Sequence, residues 1–245
     1  VDLSNLRPRG AQVSKSAGST TGAVSFMDRF SNTTREVAQN GRRGALMLTM
    51  DIAHPDIEEF VTIKQDLTKI TGANISLRLS DEFMIAVVND DDYMLRWPID
   101  SKKPKYTKTI KAKELWNTII KCAHNTAEPG LIFWDRQHYY STSSIYPGFK
   151  NSSTNPCSEI ILRPYQFCNL SEVIVRPEDN EETLKRKVEL ATILGTWQST
   201  LTNFKYLRKI WKENTEEERL LGVSITGQFG HEMMSGKQGL DKLEQ

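Results

Sequence analysis

Cysteine is scarce in this sequence, and membrane-length apolarity is missing altogether. Three cysteines, Cys122, Cys157 and Cys168, serve 245 residues. That count is too low and too odd for a secreted disulfide framework, so a reducing, cytoplasmic setting is expected. No apolar run approaches the roughly 20 residues of a membrane span, and no signal peptide opens the chain. Charge of one sign is lacking too: 32 Lys and Arg balance 31 Asp and Glu. That balance gives no broad basic footprint for nucleic acid. His54, His124, His138 and His231 are scattered, with no HExxH and no paired CxxC, so no metal bound by this chain is expected. GxGxxG and GxxxxGK[ST] phosphate loops are absent, Ser14, Ser16 and Ser19 lack the partners of a triad, and no repeat of 20–50 residues occurs.

What the sequence does hold is alternation of strand-like and helix-like segments. Apolar spacing predicts a helix over 24–39, and ALMLTM (45–50) reads as a buried strand. HPDIEEFVTIK starts a helix with Pro55 near its first turn. Ile75, Leu77 and Leu79 alternate in a strand over 74–79, and Ser80 is placed to cap the helix beginning at Asp81. Residues 112–127 form an amphipathic helix that ends at EPG, LIFWD (131–135) is a second buried strand, and 180–204 is a long helix. LLGVSITG and FCNLSEVIV read as further strands, whereas SKKPKYTKTIKAK reads as a solvated loop running into a helix. The pattern is α/β, parallel or barrel-like. Residues 1–22, rich in Gly, Ser, Thr and Arg, read either as a loop lying on a ligand or as a loose terminus. The chain opens at Val1 and closes in the polar run SGKQGLDKLEQ, so a piece of a longer polypeptide is expected.

One stretch resists a packing explanation. STNPCSEI (153–160) sets Asn155, Cys157 and Glu159 at alternate positions after the turn-like YPGFK, and Pro156 disfavours a helix. In an extended segment the three side chains would point the same way. A lone Cys is often a core residue, but Asn and Glu make poor core neighbours. Cys168 reads either as a buried strand residue or as a redox partner, and Cys122 as a helix-core residue.

NPCSEI, with CNLSEV downstream, resembles the catalytic loop of the large subunit of ribonucleotide reductases. NGRRGALMLTMDIAHPDIEEFVTIKQ, LTKITGANISLRLSDEFM, AEPGLIFWD and VSITG resemble the same family in the same order. The flavour is most similar to the adenosylcobalamin-dependent class II enzymes, with the class I large subunit as the alternative. The resemblance implies one partial catalytic domain over 1–245, part of a ten-stranded α/β barrel, with an effector-loop region at 1–22 and a central finger loop and following strand at 151–175.

Further implications follow from the resemblance. Cys157 becomes a thiyl radical that takes the 3′-hydrogen of a ribonucleotide, Glu159 is the general base for the 3′-hydroxyl, and Asn155 orients the ribose hydroxyls. Cys168 is one of two thiols that supply reducing equivalents, and its partner lies upstream of Val1. LRPRGAQVSKSAGSTTG resembles a first specificity loop, with Arg7 and Arg9 as phosphate contacts for a deoxynucleotide or ATP effector. DLTKITGAN resembles a second loop, with Lys69 and Asn74 reading base edges and Gly72 letting the loop flex. The implied cofactor is adenosylcobalamin or, in class I, a radical from a di-metal partner subunit. The implied partners are the rest of the reductase chain, a thioredoxin-like reductant and a second copy of the chain. A non-catalytic nucleotide-binding fragment is the rival reading; a glycyl radical enzyme would need a glycyl motif that is not visible. Residues 1–245 alone are expected to be inactive.

Overall fold

The structure is a computed structural model that describes residues 1–14, 18–37, 41–42 and 44–236. Lys15 to Ala17 of the first specificity-like loop, Asn40 and Arg43 of NGRRG, and 237–245 of the closing polar run lie outside the described residues. Two compact units divide the chain, Val1–Pro164 and the part from Tyr165 onward.

In the first unit β1 (Gln12–Ser14) pairs antiparallel with β2 (Gly18–Ser19), and α1 (Met27–Glu36) follows a short 3-10 turn. Then come β3 (Met47–Asp51), α2 (Ile57–Thr62), β4 (Asn74–Leu79), α3 (Asp81–Asn89), β5 (Asp92–Trp97), β6 (Tyr106–Lys111), α4 (Ala112–Thr126), β7 (Gly130–Phe133) and α5 (Trp134–Tyr140). Strands β3, β4 and β7 form a parallel sheet in that order. β4 explains why the sheet has two characters. Ile75, Leu77 and Leu79 are buried on one face, level with Leu48 and Met50 of β3. Ser76 and Arg78 lie on the other, level with Thr49 and Asp51.

The apolar face is the core of this unit. It gathers Phe60 of α2, Phe83 of α3 and Leu115, Ile119 and Cys122 of α4, spaced to share one helix face. Phe83 meets Tyr93 of β5 edge-on at 5.1 Å, and burial pushes the Tyr93 phenol up to about 12. The amide of Phe83 donates to the hydroxyl of Ser80 at 3.2 Å, the cap expected there.

Three expectations need correction. The terminus is not loose at its start: Leu3 N donates to Thr49 O (2.8 Å) and Thr49 N to Val1 O (3.0 Å), so 1–3 runs alongside β3. Leu3, almost fully buried, supplies the apolar anchor that the polar composition hid. Tyr106–Lys111 is strand β6, not a solvated loop. It pairs with β5, and Lys111 meets Asp92 across the ladder at 2.7 Å. LIFWD is strand only to Phe133; Trp134 begins α5.

After α5, β8 (Ser153–Thr154) and β9 (Ile161–Leu162) form a small antiparallel hairpin that ends the first unit. The second unit is a parallel pair, β10 (Asn169–Ile174) and β11 (Leu221–Thr226), joined through α6 (Glu181–Ser199) and α7 (Lys209–Glu218). Asn180 and Thr183 cap α6 reciprocally. A Cβ on Gly195 would collide with Leu221, so that glycine lets α6 lie close on β11. Among the described residues the strands do not close into a barrel.

Candidate active site: the tip of the 153–162 hairpin

The hairpin stem has two residue pairs, Ser153 with Leu162 and Thr154 with Ile161. Its tip, 155–160, turns instead of running on. Pro156 and Cys157 occupy the turn, and Ser158 has φ +70°. The period-two geometry expected from the sequence is therefore absent: proline's fixed φ and the left-handed Ser158 bend the chain. The turn groups the side chains by another route. Asn155 Nδ2 donates to Glu159 Oε1 at 2.6 Å, and Asn155 Oδ1 accepts from the amide of Ile160 at 3.1 Å. Main-chain bonds from Asn155 N to Ile160 O (3.2 Å) and from Ser158 N to Asn155 O (3.0 Å) close the loop. Cys157 sits in the turn at the apex, exposed, and lies between Asn155 and Glu159 in sequence.

Contacts from three elements hold the tip and stem. Gln137 of α5 donates to Ser158 O at 3.1 Å, and Ser158 Oγ lies 3.9 Å from the sulfur of Met47 in β3. At the stem, Thr49 Oγ1 is 3.5 Å from Ser153 Oγ, and Arg78 reaches Ser152 O at 3.4 Å. The hairpin thus stands against the polar face of the sheet. A non-glycine residue in the left-handed region costs about 1–2 kcal/mol. Ser158→Gly should therefore keep turnover within about threefold. Ser158→Val, with a β-branched side chain at positive φ, should displace the tip and lower turnover at least tenfold. Steady-state rates of the two variants check this, and equal rates would count against a strained apex.

Beside the apex opens a cleft of about 820 Å³. Pro156 lines it together with Thr34 and Arg35 of α1, Gly41 and the 44–46 segment, and Thr68, Thr71, Gly72, Ala73 and Asn74. The hairpin tip and the DLTKITGAN loop therefore border one space. Lys69 is exposed and does not line it; Asn74, exposed at the start of β4, does. Gly72 serves close packing: a Cβ there would collide with Ser31 O, and Gly72 N donates to Ser31 Oγ at 2.9 Å. The contribution of Thr34, Arg35, Gly41 and 44–46 was missed in the sequence. Its only signal was the glycine-flanked basic run NGRRG before an apolar strand.

The two arginines of the first loop differ. Arg7 is exposed. Arg9 directs its guanidinium to Glu59 as a fork, Nη2 to Oε1 at 2.6 Å and Nε to Oε2 at 3.2 Å, while its amide donates to Asp56. A phosphate that takes the same fork would have to displace Glu59 from Arg9. Cys122 is buried in α4, where desolvation pushes its thiol up. Cys168, in the second unit, is half-buried one residue before β10. His54 bridges Leu6 O and Asp56 N, a structural role. Among the described residues no three His, Cys, Asp or Glu gather as a metal-holding group, and no helix is long and apolar enough to cross a membrane.

Residues 1–237 match the family model described as the ribonucleotide reductase barrel domain. A vitamin B12-dependent ribonucleoside-diphosphate reductase of Thermoplasma acidophilum is 40% identical over 173 residues, which cover 70% of this chain and 22% of that protein. The protein of the same description from Mycobacterium tuberculosis is 35% identical over 174 residues, 70% of this chain and 24% of its own. The ribonucleoside-diphosphate reductase large subunit of variola virus is 25% identical over 204 residues, 71% of this chain and 25% of its own. The chain spans about a quarter of the length of these curated relatives. It belongs to the ribonucleotide reductase family, within that family's barrel domain.

Proposed function

We propose that this chain carries the radical site of an enzyme that reduces ribonucleotides to deoxyribonucleotides. The single observation that supports this best is the hairpin apex, where an exposed thiol stands in a turn whose flanking carboxamide and carboxylate are in hydrogen-bond contact. In the proposed reaction Cys157, as a thiyl, takes the hydrogen from C3′ of the ribose, which forms an S–H bond and leaves a carbon radical. Glu159 accepts the 3′-hydroxyl proton, and the 2′-hydroxyl departs as water after gaining a proton. A dithiol, of which Cys168 is one member, gives two electrons and two protons and becomes a disulfide; one proton completes the departing water, one hydrogen ends on C2′ where the hydroxyl left, and Glu159 gives its proton back to the 3′-oxygen. Cys157 returns the hydrogen to C3′ and regains its thiyl. Asn155 holds the ribose hydroxyls, with its bond to Glu159 keeping the carboxylate oriented.

The cleft that borders Pro156 is the proposed seat of the nucleotide, with its wall of Thr68 and 71–74 carrying base identity through Asn74. Lys69 and the Arg7–Arg9 region are proposed to meet the effector. The finer fold reading, a ten-stranded barrel with the hairpin at its centre, is part of this proposal, as are the reductant, the effector and self-association. Residues 1–245 alone are proposed to be inactive.

Adenosylcobalamin supplies, when bound, the radical that starts the cycle. The exposure of Cys157 fits that role, because an initiating radical has to reach the sulfur. Activity of the native polypeptide that requires added adenosylcobalamin, with no second radical-generating subunit, is the expected result. Activity that instead requires such a subunit would move the protein to class I chemistry.

A further inference from the structure

Arg78 is out of place by composition. It sits in β4, the central strand of a three-stranded parallel sheet, where buried apolar residues are the rule. Its side chain is only 16% exposed. Four neighbours surround the guanidinium: Asp2 Oδ2 at 3.0 Å, Asp51 Oδ2 at 3.6 Å, the Trp134 ring with its centroid at 4.4 Å, and the Ser152 carbonyl at 3.4 Å. These belong to the N-terminal segment, β3, α5 and the hairpin stem. Two carboxylates round one cation, and an Nε that is buried with no hydrogen-bond partner among the described residues, make an expensive way to gain stability. Well-packed apolar side chains of similar volume often do as well. Burial raises the proton affinity of Asp51 against the pull of Arg78, so the ion pair does not fully offset desolvation.

What the arrangement does supply is geometry. Ser152 N donates to Leu162 O at 2.9 Å, closing the open end of the hairpin. A fixed Ser152 therefore fixes the base of the lever whose apex is Cys157. Resting on the proposed role of that thiol, we infer that Arg78 is a positioning residue: its fork ties the hairpin stem to the sheet and the N-terminal segment, and so sets where the Cys157 sulfur stands. It touches no substrate in this scheme.

The test uses the native polypeptide with Arg78→Met and Arg78→Lys. A misplacement of about 1 Å at the reacting atoms costs on the order of a hundredfold in rate. Arg78→Met should lose that factor in kcat with KM changed less than about threefold. Amide exchange at 152–162 should speed up by about tenfold or more, while the amides of α4 keep their protection. Arg78→Lys keeps the charge between Asp2 and Asp51 but lacks the fork. It should fold normally and show a smaller loss in kcat with the same local loosening, and it decides the matter should Arg78→Met fail to fold. Hairpin exchange and kcat at wild-type levels in Arg78→Lys, or exchange rising equally in α4 and the hairpin, would overturn the inference. Cys157→Ser run alongside separates the two claims: if that variant still turns over, the radical-site reading fails, while the exchange data still report on the anchor.

Discussion

Cys157→Ser in the native polypeptide should bind nucleotide as tightly as the wild type and make no deoxyribonucleotide, a loss on the order of 10⁴-fold or more. The physical reason is bond strength. An S–H bond can trade a hydrogen atom with a ribose C–H at modest cost, and a serine hydroxyl cannot. The substitution is nearly isosteric, and Cys157 is exposed at the turn, so no cavity is created and the hairpin pairs of 153–162 should persist. Unchanged melting and binding with turnover abolished is the signature expected. Cys122→Ser would behave oppositely, costing stability in α4 and leaving the chemistry in place.

Glu159→Gln should lower kcat by about 10²–10⁴ with little change in KM, the range for loss of a general base. Gln keeps an oxygen able to accept from Asn155 Nδ2, so the 2.6 Å contact and the fold of the tip should survive. Only the proton acceptor is lost. Asn155→Ala is a different experiment. Asn155 Oδ1 also holds the amide of Ile160, so that variant should lose rate through both sugar orientation and the shape of the tip. Exchange of the Ile160 amide should rise in Asn155→Ala and stay at the wild-type rate in Glu159→Gln.

Legibility in the sequence varied with how local the determining physics was. β4, its Ser80 cap and α4 could be read directly, because alternation, capping and helical spacing are properties of a few adjacent residues. The β5–β6 hairpin could not. Tyr106–Lys111 is two-thirds lysine and threonine, and only its cross-strand partner Asp92–Trp97 makes it a strand. The order at the N-terminus depends on β3, more than forty residues away, and composition does not report such pairing. At the apex, the residues singled out do lie together, but through a turn and not through period-two extension. Pro156 disfavours a helix; it also starts the bend that brings Asn155 and Glu159 into contact. The Arg9–Glu59 fork, fifty residues apart, was equally invisible.

A crystal structure of the native polypeptide with a ribonucleotide bound tests the account most directly. The ribose C3′ should lie within roughly 3–3.5 Å of Cys157 Sγ, near-attack range, with the sugar hydroxyls bonded to Asn155 and Glu159 and the base in the cleft beside Pro156. A sugar seated away from residues 155–159, with Cys157 facing bulk solvent, would contradict it.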